Sequence, residues 1–191
     1  MRVLDQLGTA APWSGLGWRH TAPNRSPLSG AGARIYGGRW NPPDVVATIY
    51  VATTESGCLA ELHRLLDHQA RGAVSFPRHV HRIELTNIVA VDLTTDEAFD
   101  AVGLTPDDVN DDDWTACQAV GNAVQYLGVQ ALRAASATGD GHILALYEPH
   151  LHPGQLQAQK PPRSLEQPPD RGTVAVQPVL TVSTCSAQTP P

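Results

Sequence analysis

The sequence predicts one compact α+β domain over residues 1–157, with a mixed or antiparallel sheet and flanking helices, followed by a proline-rich tail over 158–191. Three observations carry that prediction. The chain has 191 residues, room for one core of ordinary size. At 41% hydrophobic and 17% charged residues, it is too apolar for a disordered chain and too poor in charge for a coiled coil. Segments of period two and segments of period 3.6 then follow one another without a regular βαβ alternation.

Residues 22–46 are rich in Gly, Pro, Ser and Asn and read as a long ordered loop, a feature that in a compact domain is usually functional. Ala47–Ala52 (ATIYVA) has strand chemistry, and residues 53–69 read as a helix with Leu59, Leu62 and Leu66 on one stripe. Glu61, about 200° around from Leu59 at ~100° per residue, points away from that stripe. Residues 79–85 and 88–93 read as strands joined by a Thr-Asn turn. Thr94 and Glu97 have capping-box spacing for a short helix ended by Gly103, and Thr105-Pro106 opens another turn with proline at the first helical position. Asp113 caps a helix from Trp114 to about Leu127. Its apolar face is Cys117, Val120, Val124 and Leu127, and Thr115, Gln118, Asn122 and Gln125 form a polar stripe. A strand over His142–Tyr147 follows a Gly-Asp-Gly turn. Beyond Gln157, prolines at 161, 162, 168, 169, 178, 190 and 191 favour a disordered or draped segment, with a possible edge strand at 173–182.

Composition excludes several functions. The net charge of −6 argues against direct nucleic-acid binding, which needs a basic surface. Its distribution is uneven: residues 1–82 hold nine arginines against five acids, whereas 92–113 hold nine acids and no base. A locally basic half on an acidic protein suits a small anionic ligand. No apolar run approaches the ~18 residues of a spanning helix and the N-terminus lacks the layout of a secretion signal, so a soluble cytoplasmic protein is expected. Cys58, Cys117 and Cys185 form neither a disulfide framework nor a metal spacing. His79-x-His81 and His150-x-His152 lack a completing ligand, so no metal is expected. The phosphate-loop, dinucleotide-fold and hydrolase-elbow signatures are all missing.

The most unusual cluster is RIYGGRWNPP over residues 34–43, followed by Tyr50 and Glu61. Two glycines before Arg39 let the backbone approach a ligand closely, and the guanidinium then offers a planar fork for phosphate oxygens. An arginine pairing with a nearby carboxylate beside an ordinary Gly-Gly turn is the plainer alternative.

The order Trp18-Arg19, Leu28-Ser29-Gly30, Gly-Gly-Arg39-Trp-Asn, Ile49-Tyr50-Val-Ala and Leu-Ala-Glu61 resembles that of RES-domain proteins, the toxin halves of RES–Xre toxin–antitoxin modules. The likeness runs on through VDLTT (91–95), AVGL (101–104), DDWTACQAVG (112–121) and PGQLQ (153–157), and so covers about residues 12–157. It implies a fold similar to that of ADP-ribosyltransferase toxins, destruction of NAD+ by phosphorolysis or hydrolysis, and a cognate Xre-type antitoxin as partner in a hetero-oligomer. NAD+ is then substrate, inorganic phosphate a possible co-substrate, and no resident cofactor is expected. Carried over by position, Glu61, Arg39 and Thr115 are the catalytic candidates. Arg19, His20, Arg39, Tyr50 and Gln118 are the substrate-binding candidates. Thr115 stands at the serine position and His20 where close relatives carry a tyrosine.

The residues themselves suit this chemistry. Nicotinamide leaves as a neutral base from a ribose carbon, so the enzyme needs no acid and must instead stabilise an oxocarbenium-like sugar while holding a pyrophosphate. Glu61 is assigned to the developing positive charge and the ribose hydroxyls. Arg19 and Arg39 are assigned to the pyrophosphate or to an attacking phosphate, Tyr50 to stacking on a base, and Thr115 to an anion at its helix start. Transfer of ADP-ribose to a protein, or a binding module without turnover, remain open alternatives at this point.

Overall fold

The computed structural model describes residues 12–68, 74–138 and 141–170. Eight strands form one sheet: β1 (Trp13–Thr21), β2 (Thr48–Ala52), β3 (Arg78–Ile88), β4 (Ala90–Leu93), β5 (Ala131–Ala135), β6 (His142–Tyr147), β7 (Leu156–Ala158) and β8 (Arg163–Leu165). Five helices accompany it: α1 (Ala31–Tyr36), α2 (Glu55–His68), α3 (Asp96–Val102), α4 (Pro106–Asn110) and α5 (Thr115–Tyr126). The order across the sheet is β4-β5-β6-β2-β1-β3-β7, with β8 also on β3. All pairs are antiparallel except β4 with β5. The α+β class therefore holds.

Two features bend this sheet. β1 and β2 share a single register pair, Trp18 with Ala52, so the two halves splay from that point. β3 ends at Ile88 and β4 starts at Ala90, yet four other strands lie between them across the sheet, which curls until their ends meet. Ile49, Val51, Ile83, Leu85, Ile88, Ala90, Ala131, Leu144 and Leu146 fill the inside of the bend. On the outer face, α3, α4 and α5 bury Phe99, Val109, Cys117 and Val124 against β4, β5 and β6. There α2 lays Cys58, Leu59 and Leu62 over Ala52 and Val80. This places α2 and α5 on the same face of the sheet, with the 37–41 loop and Tyr50 beside α5.

Several local expectations shift. The capping residue of α3 is Thr95 rather than Thr94: its hydroxyl accepts from the Ala98 N–H at 3.2 Å, one residue later than the Thr94–Glu97 spacing implied. Proline does open α4, behind a Thr105–Asp108 capping box. The Thr-Asn turn is no hairpin, because β3 runs on through Asn87 at a positive φ of 52° and β4 pairs elsewhere. The long loop contains α1, a helix with no buried residue. β1 and β5 have no counterpart in the sequence reading; Gly15 and Gly17 weaken the pattern of the first, and Arg133 interrupts a short run in the second. The segment from 158 onward starts within β7 and supplies β8, whose Leu165 is buried against Val80. Prolines 161 and 162 separate these two edge strands rather than abolish them. The edge strand expected at 173–182 lies outside the described residues.

Candidate active site

The Arg39 loop is built from residues whose shapes leave little choice. Gly37 has φ of 74°, a left-handed value that glycine adopts without strain, and a Cβ on Gly38 would lie 2.6 Å from the Tyr50 hydroxyl. The Tyr50 hydroxyl accepts from the Trp40 N–H at 2.9 Å and donates to Asn41 Oδ1 at 2.7 Å. Asn41, fully buried, donates in turn to the Ala33 carbonyl at 2.8 Å. Burial raises the Tyr50 phenol well above its ordinary pKa, so it stays protonated and keeps both bonds. Tyr50 thus braces the loop; the hydroxyl is committed, whatever the ring meets.

Arg39 then reaches the turn between α4 and α5. Its Nη1 donates to the Asp108 and Asp111 carbonyls at 3.2 and 2.9 Å, and the guanidinium lies 5.5 Å from the centre of the Trp114 ring. Nη2 is buried and has no oxygen partner, although the Cys117 thiol lies beside the guanidinium, so one donor of a phosphate-binding fork meets no carbonyl or carboxylate. Burial lowers the pKa of this arginine and the nearby Arg64 lowers it further; contact with Cys117, and after it the Glu61 charge, oppose both. Arg39, Arg64 and Glu61 therefore share one neighbourhood. Arg64 is also within 3.4 Å of the Asp112 carboxylate.

Glu61 is half-buried on α2, between Leu59 and Leu62, which enter the core. Its carboxylate accepts a 2.9 Å hydrogen bond from Ser136 Oγ, a buried hydroxyl just past β5. Ser136 is itself fixed: its Oγ accepts from the Thr138 N–H at 3.2 Å and lies 2.7 Å from the Thr138 hydroxyl. Strand periodicity puts Leu132, Ala134 and Ser136 on the outer face of the sheet, the face covered by α2 and α5.

The other candidates are placed differently. Thr115 is exposed at the start of α5, whose N-cap is Trp114 rather than the expected Asp113; Asp113 Oδ1 accepts from the Thr115 N–H at 2.9 Å from just outside the helix, which puts a carboxylate where an anion was expected. The hydroxyl that meets Glu61 belongs to Ser136. Gln118 donates to the Gly38 carbonyl at 3.0 Å and supports the loop. Arg19 alternates with Trp18 along β1 and so emerges on the opposite face of the sheet from Tyr50. It holds the Pro27 and Ser29 carbonyls at 3.0 Å each, and burial pushes it down to about 10 despite Glu148. Arg19 therefore anchors the loop ahead of α1. His20 has its Nδ1 3.0 Å from Arg78 Nη2; a guanidinium only donates, so Nδ1 accepts and the ring is neutral. Burial, then Arg78 and Arg19, hold it down to about 3.

Sequence reasoning passed over Ser136 and Trp114. A signal for the first existed: Leu132, Ala134 and Ser136 alternate into the small-residue turn before His142. Among the described residues, no three His, Cys, Asp or Glu side chains gather as a metal site, and no helix is long and apolar enough to cross a membrane. The site offers a carboxylate fixed by a hydroxyl, facing a neighbourhood with two guanidinium groups. That pairing can stabilise a cationic centre and hold an anion beside it.

Known proteins bear directly on this arrangement. NAD(+) phosphorylase MbcT of Mycobacterium tuberculosis (strain ATCC 25618 / H37Rv) is 39% identical to this chain over 160 residues, 82% of this chain and 86% of that protein. The probable NAD(+) phosphorylase Rv3189 of the same strain is 26% identical over 171 residues, covering 86% and 82%. The crystal structure of the M. tuberculosis MbcT–MbcA toxin–antitoxin complex contains a chain that superposes with a TM-score of 0.76 at 38% identity, over 87% of this chain and 90% of that one. The RES domain model matches residues 16–169, which reach past β8 and take in Arg39, Glu61 and Ser136. This chain belongs to the RES domain family.

Proposed function

We propose that this chain is a toxin-type NAD+ phosphorylase, restrained by a cognate antitoxin. The observation that carries the reading is the 39% identity to NAD(+) phosphorylase MbcT over most of both chains. The site's chemistry supports it. In phosphorolysis the bond between ribose C1 and the nicotinamide nitrogen breaks, its electron pair neutralises the pyridinium, and a phosphate oxygen bonds to C1. No proton has to reach the leaving group and no cofactor is consumed. Glu61, oriented by Ser136, faces the sugar as it gains positive charge, and Arg39 Nη2 binds a phosphate oxygen of the substrate or of the nucleophile. The same atoms would serve hydrolysis; the naming of two relatives as phosphorylases favours phosphate.

The partner follows from the structural likeness to a toxin within a toxin–antitoxin complex. An enzyme that empties the NAD+ pool acts in the cytoplasm, where that pool is, and is harmful unless held in check.

Incubating the purified chain with NAD+, with and without inorganic phosphate, tests the activity. The expected result is nicotinamide release accelerated by phosphate, with ADP-ribose 1-phosphate as co-product. Release independent of phosphate would make the enzyme a glycohydrolase, and label from NAD+ on a protein would make it a transferase. Expression of the wild type alone should arrest growth. Normal growth with abundant folded protein and an unchanged NAD+ level would refute the toxin reading.

A further inference from the structure

The loop bearing Arg39 is gripped from two sides, and only one of them is the Tyr50 brace. On the other side α5 comes unusually close. A Cβ on Gly121 would lie 2.0 Å from the Trp40 carbonyl oxygen and 2.6 Å from its carbon. Those are backbone atoms, so a side chain at 121 is accommodated only if the loop retreats by more than an ångström to reach ordinary contact. Gln118, nearly one turn earlier on the same helix, donates to the Gly38 carbonyl at 3.0 Å. The two residues bracket Arg39: Gln118 holds the Gly38–Arg39 peptide just before it, and Gly121 abuts the Trp40–Asn41 peptide one residue beyond it. Retreat is blocked, because Gly38 already abuts the Tyr50 ring and the Trp40 N–H is bonded to its hydroxyl.

The same helix also fixes the far end of the arginine. Trp114, the residue before α5, stacks on the guanidinium, and Cys117 donates to the Asp108 carbonyl at 3.4 Å, the same oxygen that receives Arg39 Nη1 at 3.2 Å. One helix thus sets both the backbone origin of Arg39 and the seat of its guanidinium. We propose that Gly121 and Gln118 are positioning residues that fix the Arg39 guanidinium for substrate binding by seating the Gly38–Trp40 backbone on α5. The proposal rests on the reading above, in which Arg39 binds a phosphate oxygen.

Gly121→Ala pushes the loop, and Gln118→Met removes the donor at nearly constant volume. Two readouts are needed: KM against kcat for NAD+ at saturating phosphate, and the Arg39 Nε–H signal in nitrogen-15 NMR, assigned by its loss in Arg39→Lys. The expected result is a KM raised about tenfold in Gly121→Ala and several-fold in Gln118→Met, with kcat changing far less and the Arg39 signal displaced from its place over Trp114. Should Gly121→Ala fail to fold, Gln118→Met decides. Folded variants with a lower Tm but a wild-type KM and an unmoved Arg39 signal would overturn the proposal, leaving packing as the only role. If the wild type releases no nicotinamide, the phosphorylase reading fails, whereas the Arg39 signal still tests the positioning.

Discussion

Glu61→Gln separates the charge of the site from its shape. The substitution is isosteric, and a glutamine carbonyl still accepts from Ser136 Oγ, now 2.9 Å from the carboxylate. Leu59 and Leu62, which seat this stretch of α2 in the core, are untouched, so folding should be unchanged. Only the negative charge is lost. A full charge about 4 Å from a developing oxocarbenium centre, at an effective dielectric near 20, is worth roughly 4 kcal/mol. At about 1.4 kcal/mol per tenfold, that is on the order of a thousandfold in rate. The assay is initial nicotinamide release from NAD+ with phosphate at fixed enzyme, alongside a melting curve. A folded variant within tenfold of wild type would show that the carboxylate does not balance charge in the transition state, and the mechanism assigned to it would fall.

Ser136→Ala should keep the charge but free the carboxylate's rotamer; losing one hydrogen bond to a charged group predicts a rate reduction of roughly tenfold to a hundredfold, and an unaltered rate would remove Ser136 from the mechanism. Arg39→Lys should weaken NAD+ binding, since an ammonium cannot span the Asp108 and Asp111 carbonyls while presenting a second donor; a collapse of Tm without loss of affinity would assign Arg39 to the fold alone. His20 has a folded pKa of about 3 against 6.5 in the unfolded chain, so only the unfolded state takes up this proton as pH falls between those values. Its contribution to stability is complete above about pH 6.5 and declines through the folded pKa, and denaturant titrations of His20→Phe should show a shallower acid slope than wild type. Truncation after Gln157 should cost roughly 2–4 kcal/mol, because it removes buried Leu165, the β8–β3 pairing and the 2.7 Å Arg163–Glu55 contact; an unchanged Tm would show that β8 adds nothing.

The parts of the fold legible in the sequence were those with an undisturbed period or an explicit cap. β2 and β6 are continuous apolar runs at the centre of the sheet, where both faces are covered, and α2 and α5 carry clean leucine or valine stripes. The strands that escaped notice are defined by partners rather than by their own residues. β1 carries two glycines and mixes apolar and polar residues on both faces, yet makes eight register pairs with β3. β7 and β8 are three residues each and exist because β3 is long enough to offer both of them an edge.

The site divides along the same line. Arg39 and Glu61 were legible as candidates because the proposed chemistry needs a guanidinium on a permissive backbone and a carboxylate turned away from the core, and both conditions show within a few residues of sequence. The hydroxyl beside Glu61 does not, since it depends on contact between residues 75 positions apart. Thr115 had the right helix position but the wrong neighbour: Asp113 takes its N–H, and an anion there would meet that carboxylate. Arg19 follows a similar logic, since alternation along β1 sends it to the opposite face once Trp18 is committed to the core beneath α2. One residue of register decides whether an arginine grips a ligand or a loop. The geometry here gives Arg19 two loop carbonyls and leaves Arg39, whose backbone α5 holds in place, with one guanidinium nitrogen that has no oxygen partner.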